Sequence, residues 1–145
     1  DVEALREGLK NDIMDVISTD HAPHGSAEKN RTMKMAPFGI VGLETSAALT
    51  YTELVEPGIL TPMQMAEKMS YNPARILGLA EKGSVSEGMI ADVVIFDPSK
   101  EYIIRKETFV SKGKNTPFDG RKVKGDVNCT IVGGKIVYEG GKVID

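Results

Sequence analysis

Between Glu81 and Gly83 the patterning of this sequence changes character, and that change limits the fold more than any other feature. Ahead of it, apolar residues recur at helical spacing. Behind it, they gather in short β-branched runs broken by glycine pairs. Residues 1–80 therefore read as α/β, and residues 81–145 as mostly antiparallel β. A chain of 145 residues holds an average domain, or a small domain plus part of another. It does not hold a complete (β/α)₈ barrel, which takes about 250 residues.

In the first half, Val2, Leu5 and Leu9 predict a helix over residues 2–10. Asp15-Val16-Ile17-Ser18-Thr19 predicts a buried strand, parallel because it follows a helix. A helix is expected over residues 43–55, closed by Glu56-Pro57-Gly58. Thr61 as N-cap, Pro62 at the first helical position and Gln64 three residues after the cap announce the next. Asn72-Pro73 starts another, ending at Gly78. In the second half, Val85, Ile90 and Ala91–Asp97 read as strands, and Gly133-Gly134 and Gly140-Gly141 as hairpin turns.

Charge excludes some partners. With 18 Lys+Arg against 21 Asp+Glu, the net charge of −3 leaves no basic footprint for nucleic acid or an anionic membrane surface. No apolar run approaches the roughly 20 residues of a membrane span. The single cysteine, Cys129, lies in an apolar-flanked run and reads as a small strand residue. One cysteine and no signal-peptide pattern point to a reducing, cytoplasmic setting.

Chemically capable side chains crowd together once, in Thr19-Asp20-His21-Ala22-Pro23-His24. In parallel α/β folds, ligands gather at the carboxyl ends of strands. A carboxylate there can ligate a metal, relay a proton or do both, or it can simply form the turn. Asp20 and His24 are four apart, and Pro23 prevents regular helix between them, so both can face one cavity. Two His and one Asp do not by themselves make a catalytic zinc site, which takes three protein ligands and an open position.

The segment Ser18-Thr19-Asp20-His21-Ala22-Pro23-His24 resembles the loop after the eighth barrel strand of class I dihydroorotases, in the amidohydrolase superfamily. The likeness continues in order through Ala36-Pro37-Phe38-Gly39-Ile40-Val41-Gly42-Leu43-Glu44-Thr45 and Asn72-Pro73-Ala74-Arg75-Ile76-Leu77-Gly78-Leu79. It extends through Gly88–Pro98, Ser111-Lys112, Asn115-Thr116-Pro117-Phe118 and Gly133-Gly134-Lys135. The Asp-His-Ala-Pro-His loop is its most specific element, because allantoinases and dihydropyrimidinases differ after the Asp.

The resemblance implies a fold and a division. Residues 1–80 are expected to be the C-terminal part of a metal-dependent hydrolase TIM barrel, with its last strand and helices. Residues 81–145 are expected to supply strands of a small β-sandwich domain. The implied activity is reversible, zinc-dependent cyclisation of N-carbamoyl-L-aspartate to L-dihydroorotate, in de novo pyrimidine synthesis, on one or two zinc ions. Asp20 is then both metal ligand and proton carrier, His24 a substrate-binding residue, and Phe38 and Gly39 main-chain substrate contacts. His21 is expected to support or pack, Arg75 to pair or cap, and Arg31 and Lys34 to be solvated.

The family's His-x-His pair, carboxylated lysine and two further histidine ligands lie upstream of this stretch. The expectation is therefore a C-terminal portion that is inactive alone and has the preceding part of the same protein as its first partner. A homo-oligomer or aspartate transcarbamoylase are further expected partners. The competing readings are another cyclic-amide hydrolase, such as an allantoinase or hydantoinase, and a non-catalytic dihydroorotase-like subunit supporting aspartate transcarbamoylase.

Overall fold

The computed structural model describes residues 1–144. The expected first helix, α1 (Val2–Lys10), forms and brings Leu9 into a cluster with Val55 and Leu60. Ile17, Tyr51, Leu54, Ile59 and Met65 pack around that cluster.

Residues 15–20 depart from the expected strand. They run without a ladder partner, and the nearby parallel contact is an isolated bridge between His21 and Ile40. A strand exists only where another strand takes up its N–H and C=O groups. Within this chain two of those groups meet helical residues instead. Ile17 N–H donates to the Lys68 carbonyl at 3.1 Å, and Asn72 Nδ2 donates to the Asp15 carbonyl at 2.9 Å.

After the short α2 (Ser26–Lys29), the expected helix over residues 43–55 is present as three consecutive pieces. A 3₁₀ turn (Leu43–Thr45) leads into α3 (Ser46–Thr50), and a wide π-helical turn (Tyr51–Val55) follows. The Thr61 capping box opens α4 (Pro62–Ala66) as its sequence announces: Gln64 N–H donates to Thr61 Oγ1 at 3.2 Å, and Thr61 N–H donates to Gln64 Oε1 at 2.9 Å.

Asn72-Pro73 does not start a separate helix. The chain continues from α4 through a π-helical turn (Glu67–Tyr71) into α5 (Asn72–Ile76). Proline lacks an N–H and crowds the carbonyl of the preceding turn, and a widened turn accommodates both effects. Asn72, freed from capping, is buried with its amide on Asp15.

The second half is one four-stranded antiparallel sheet in the order β1 (Val93–Ile103), β2 (Lys122–Val132), β3 (Lys135–Glu139), β4 (Lys142–Val143). Both glycine-pair hairpins form; Gly133 and Gly134 have φ of 54° and 80°, which the tight turn between Val132 and Lys135 requires. Cys129 is buried in β2, as expected. Val85 and Ile90 lie outside any strand, in a turn-rich stretch where Val85 is exposed. That stretch is tied down by the Lys82–Asp92 ion pair and by Gly133 N–H donating to Asp92 Oδ1 at 2.8 Å.

Between the helices and the sheet, Ala48 of α3 packs with Ile104 and Val123 in a second buried cluster. Thr52 Oγ1 accepts the Lys124 N–H at 2.9 Å, and Lys124 Nζ pairs with Glu56 at 2.9 Å. The two sequence regions therefore meet along residues 46–56, and this contact carries the 106–117 loop toward the Asp20 loop.

Candidate functional site

Asp20 is exposed and takes φ of 45°, a left-handed conformation uncommon outside glycine but tolerated by Asp. Such a residue sharply redirects the chain, here from the extended 15–19 segment into the loop. His21 turns away and supports the next element. Its Nδ1 accepts the Gly42 N–H at 3.0 Å and the Leu43 N–H at 3.3 Å, at the start of the 3₁₀ turn. A ring nitrogen that accepts leaves the proton of the neutral imidazole on Nε2. This matches the supporting role expected for it.

His24 reaches the second loop, with Nε2 2.8 Å from the Phe38 carbonyl oxygen. A carbonyl only accepts, so Nε2 is the donor. Its Nδ1 lies 3.7 Å from Glu28 on a partly exposed surface. The Phe38 side chain is 96% exposed, so this residue offers the loop its main chain. Gly39 has φ of +120°, and a Cβ there would stand 2.6 Å from Ala22 Cβ and 2.8 Å from the Ala22 carbonyl. Only glycine lets the two loops approach this closely.

Asp20, His24, Phe38 and Gly39 therefore belong to one pair of apposed loops, bridged by His21–Ile40. Ala22 N–H donates to the Ile40 carbonyl at 2.9 Å. A groove of about 820 Å³ opens from His21 and Glu44 toward Tyr102 and Tyr138 of the sheet. Asp20 and His24 stand outside its lining.

Three residues to which the sequence assigned no role hold this arrangement. Lys29 Nζ donates to the Pro37 carbonyl at 2.7 Å and to the Gly39 carbonyl at 3.0 Å. Asn115 Nδ2 also donates to the Gly39 carbonyl, at 2.9 Å, while its own carbonyl accepts the Val41 N–H at 2.9 Å. Glu44 accepts the N–H groups of Val110 and Ser111 at 2.8 and 3.0 Å, which anchors the loop carrying Asn115. The signal available was Asn115-Thr116-Pro117-Phe118, a recognisable stretch to which sequence reasoning gave no role.

Arg31 and Lys34 are exposed, as expected. Arg75 corrects the expectation of an ion pair. It is exposed in the last turn of α5, and no carboxylate lies within 4.0 Å among the described residues. A cation in a last turn still interacts favourably with the helix dipole.

Among the described residues no group of three His, Cys, Asp or Glu side chains is placed to hold a metal ion. Asp20, at an exposed left-handed turn, offers one carboxylate. A carboxylate is a suitable oxygen donor for a divalent cation. Also among the described residues, no helix is long and apolar enough to cross a membrane.

The helices packed on an antiparallel sheet, with the histidine-bearing loop beside them, are the frame of an amidohydrolase. The amidohydrolase family model matches residues 1–137, and the chain belongs to that family. Within it, the chain is 51% identical over 139 residues to a protein named dihydroorotase from Pelotomaculum thermopropionicum, covering 96% of this chain and 32% of that one. It is 47% identical over 144 residues to the dihydroorotase of Bacillus subtilis, covering 99% of this chain and 33% of that protein. Among solved structures, the L-hydantoinase (dihydropyrimidinase) of Arthrobacter aurescens superposes with a TM-score of 0.91 at 34% identity, covering 97% of this chain and 32% of that one. The dihydropyrimidinase of Brevibacillus agri gives 0.92 at 28% identity, covering 98% and 32%. The chain spans about a third of the length of these relatives.

Proposed function

We propose that this chain is the C-terminal part of a dihydroorotase, which reversibly cyclises N-carbamoyl-L-aspartate to L-dihydroorotate in de novo pyrimidine synthesis. The observation that carries the reading is the 51% identity to a dihydroorotase across 96% of the chain, with the Asp20–His24 loop facing the Phe38–Gly39 loop. In this reading residues 1–80 complete a (β/α)₈ barrel, and residues 81–145 belong to a small β-sandwich domain. The extended 15–20 segment is the last barrel strand, and it pairs with strands that the rest of the protein supplies.

Zinc, as one or two ions, is the proposed cofactor, with Asp20 one of its ligands and the other ligands in the part of the protein this chain does not span. When bound, such an ion polarises the amide carbonyl and lowers the pKa of water to about 7. The chain's own residues do the rest. In the ring-opening direction Asp20 takes the proton of the water whose oxygen bonds to the amide carbon, and it delivers that proton to the nitrogen as the C–N bond breaks; cyclisation runs the same transfers in reverse. The exposed carboxylate is open to exchange a proton with a bound molecule. His24 and the main chain of Phe38 and Gly39 bind the anionic substrate, and Gly39 allows its backbone a close approach. The preceding part of the same protein is the first partner, with a homo-oligomer or aspartate transcarbamoylase beyond it, in the cytoplasm.

The test is Asp20→Ala in the full-length protein. Turnover of carbamoyl aspartate is expected to fall at least about a hundredfold, or about 2.7 kcal/mol of barrel-site stabilisation of the transition state. An unchanged rate removes Asp20 from the mechanism. The likeness to hydantoinase structures supports a second reading, hydrolysis of another cyclic amide. Faster turnover of hydantoin or dihydrouracil than of dihydroorotate by the unmodified full-length protein establishes it. A zinc-free protein with no turnover of any of them establishes the non-catalytic, scaffolding reading instead.

A further inference from the structure

Three consecutive carbonyls of the second loop are each held by a side chain. Lys29 Nζ takes Pro37 and Gly39, Asn115 Nδ2 takes Gly39 as well, and His24 Nε2 takes Phe38. A trans peptide is planar, with its N–H pointing opposite its C=O. Fixing the Pro37 carbonyl on Lys29 therefore turns the Phe38 N–H away from Lys29. Fixing the Phe38 carbonyl on His24 likewise turns the Gly39 N–H away from His24. Side-chain donors thus decide which way the loop's own donors face.

We infer that Lys29 and Asn115 are positioning residues, which aim the main chain of Phe38 and Gly39 at a carboxylate or ring-carbonyl oxygen of the substrate. The inference rests on the proposed role of those two residues as substrate contacts. Lys29 comes from α2, next to the His24 loop, and Asn115 from the 106–117 loop adjoining the sheet. One acceptor, the Gly39 carbonyl, joins them. The Ala22–Ile40 hydrogen bond holds the loops together beside them, and Gly39, with φ of +120°, is a residue that leaves its peptide groups free to turn unless they are held. The lysine ammonium is also part-buried, so its two carbonyl bonds are charge-assisted and shielded from water. An error in aiming weakens binding in the ground state and the transition state alike, which raises KM and leaves kcat nearly alone.

The experiment uses the full-length protein with carbamoyl aspartate as substrate. Lys29→Met and Asn115→Ala are each expected to raise KM about tenfold while kcat falls less than about threefold. Lys29→Arg, which keeps a charged donor, recovers most of the loss. The double variant raises KM by more than the product of the two singles, because two donors share one oxygen. Lys34→Ala, on the exposed stretch of the same loop, moves neither constant. Folded Lys29→Met and Asn115→Ala proteins with unchanged KM overturn the inference, as does a fall confined to kcat. Gly39→Ala separates it from the reading it rests on. If Gly39→Ala raises KM and the other two variants do not, only the positioning role falls. If a folded Gly39→Ala protein keeps its KM, the substrate role of the loop falls, and the positioning role with it.

Discussion

Lys68 Nζ, on a side chain with no solvent exposure, donates to Asp12 Oδ1 at 2.8 Å and to the Met14 carbonyl at 2.9 Å. Its backbone carbonyl accepts the Ile17 N–H, and Asn72, one turn on, holds Asp15. This one helix therefore fixes the segment that ends in Asp20. A buried ammonium is tolerable only with such partners.

Replacing Lys68 by Ala removes both bonds, leaves the Met14 carbonyl without its donor and opens a void beside α4. The expected loss is about 3 kcal/mol, from the hydrogen bonds and the cavity together. Urea unfolding of the Lys68→Ala protein checks this; a midpoint equal to that of the unmodified protein contradicts the clamp.

Acid should loosen the hairpin junction. The Asp92 carboxyl is held below its ordinary 3.8 by the Lys82 hydrogen bond and by the Gly133 N–H. A carboxylate whose folded pKa is depressed stabilises the native state above its unfolded value, and that contribution fades as pH falls through the folded pKa. Melting temperature is therefore expected to drop below about pH 4, and to drop less in Asp92→Asn. Equal acid sensitivity of the two proteins, followed by circular dichroism, shows that Asp92 plays no part.

Alkali acts at the opposite end of the sheet. Burial, helped by Asp126 and Tyr138, pushes the Tyr102 phenol from 10.0 up to about 12. A raised pKa in a group that becomes anionic means that folding favours the neutral form, so this stability is full below pH 10 and is lost as pH rises toward 12. Absorbance at 295 nm is expected to show one tyrosine ionising late, and Tyr102→Phe to abolish that late phase. A late phase that persists in Tyr102→Phe assigns it to another residue.

Local signals were legible wherever a single residue type answers a local geometric demand. Thr61 and Gln64 cap α4, glycine pairs turn the two hairpins, and Leu9 marks the inward face of α1. Pro73 misled for the same reason. Its local rule starts a new helix with Asn72 as the cap, whereas the packed chain runs on through a wide turn and Asn72 reaches Asp15 instead. The 15–19 segment is a different case. Its composition suits a buried strand and its backbone is extended, but a ladder needs a partner strand, and within this chain the groups that meet it belong to helical residues.

By itself the sequence determined where caps and turns fall, that the second half is antiparallel sheet, and which loop concentrates carboxylate and imidazole. That residue 39 must be glycine is a tertiary matter, since a Cβ there meets Ala22. Only the tertiary structure decided that Lys29 and Asn115, 86 positions apart in number, share the Gly39 carbonyl, and that Lys68 is buried under Asp12. Caps and turns depend on interactions a few residues long, which a sequence displays directly. Hydrogen bonds between distant residues depend on how α2, the helix at residues 46–55 and the 106–117 loop pack together, and no short stretch of sequence records that.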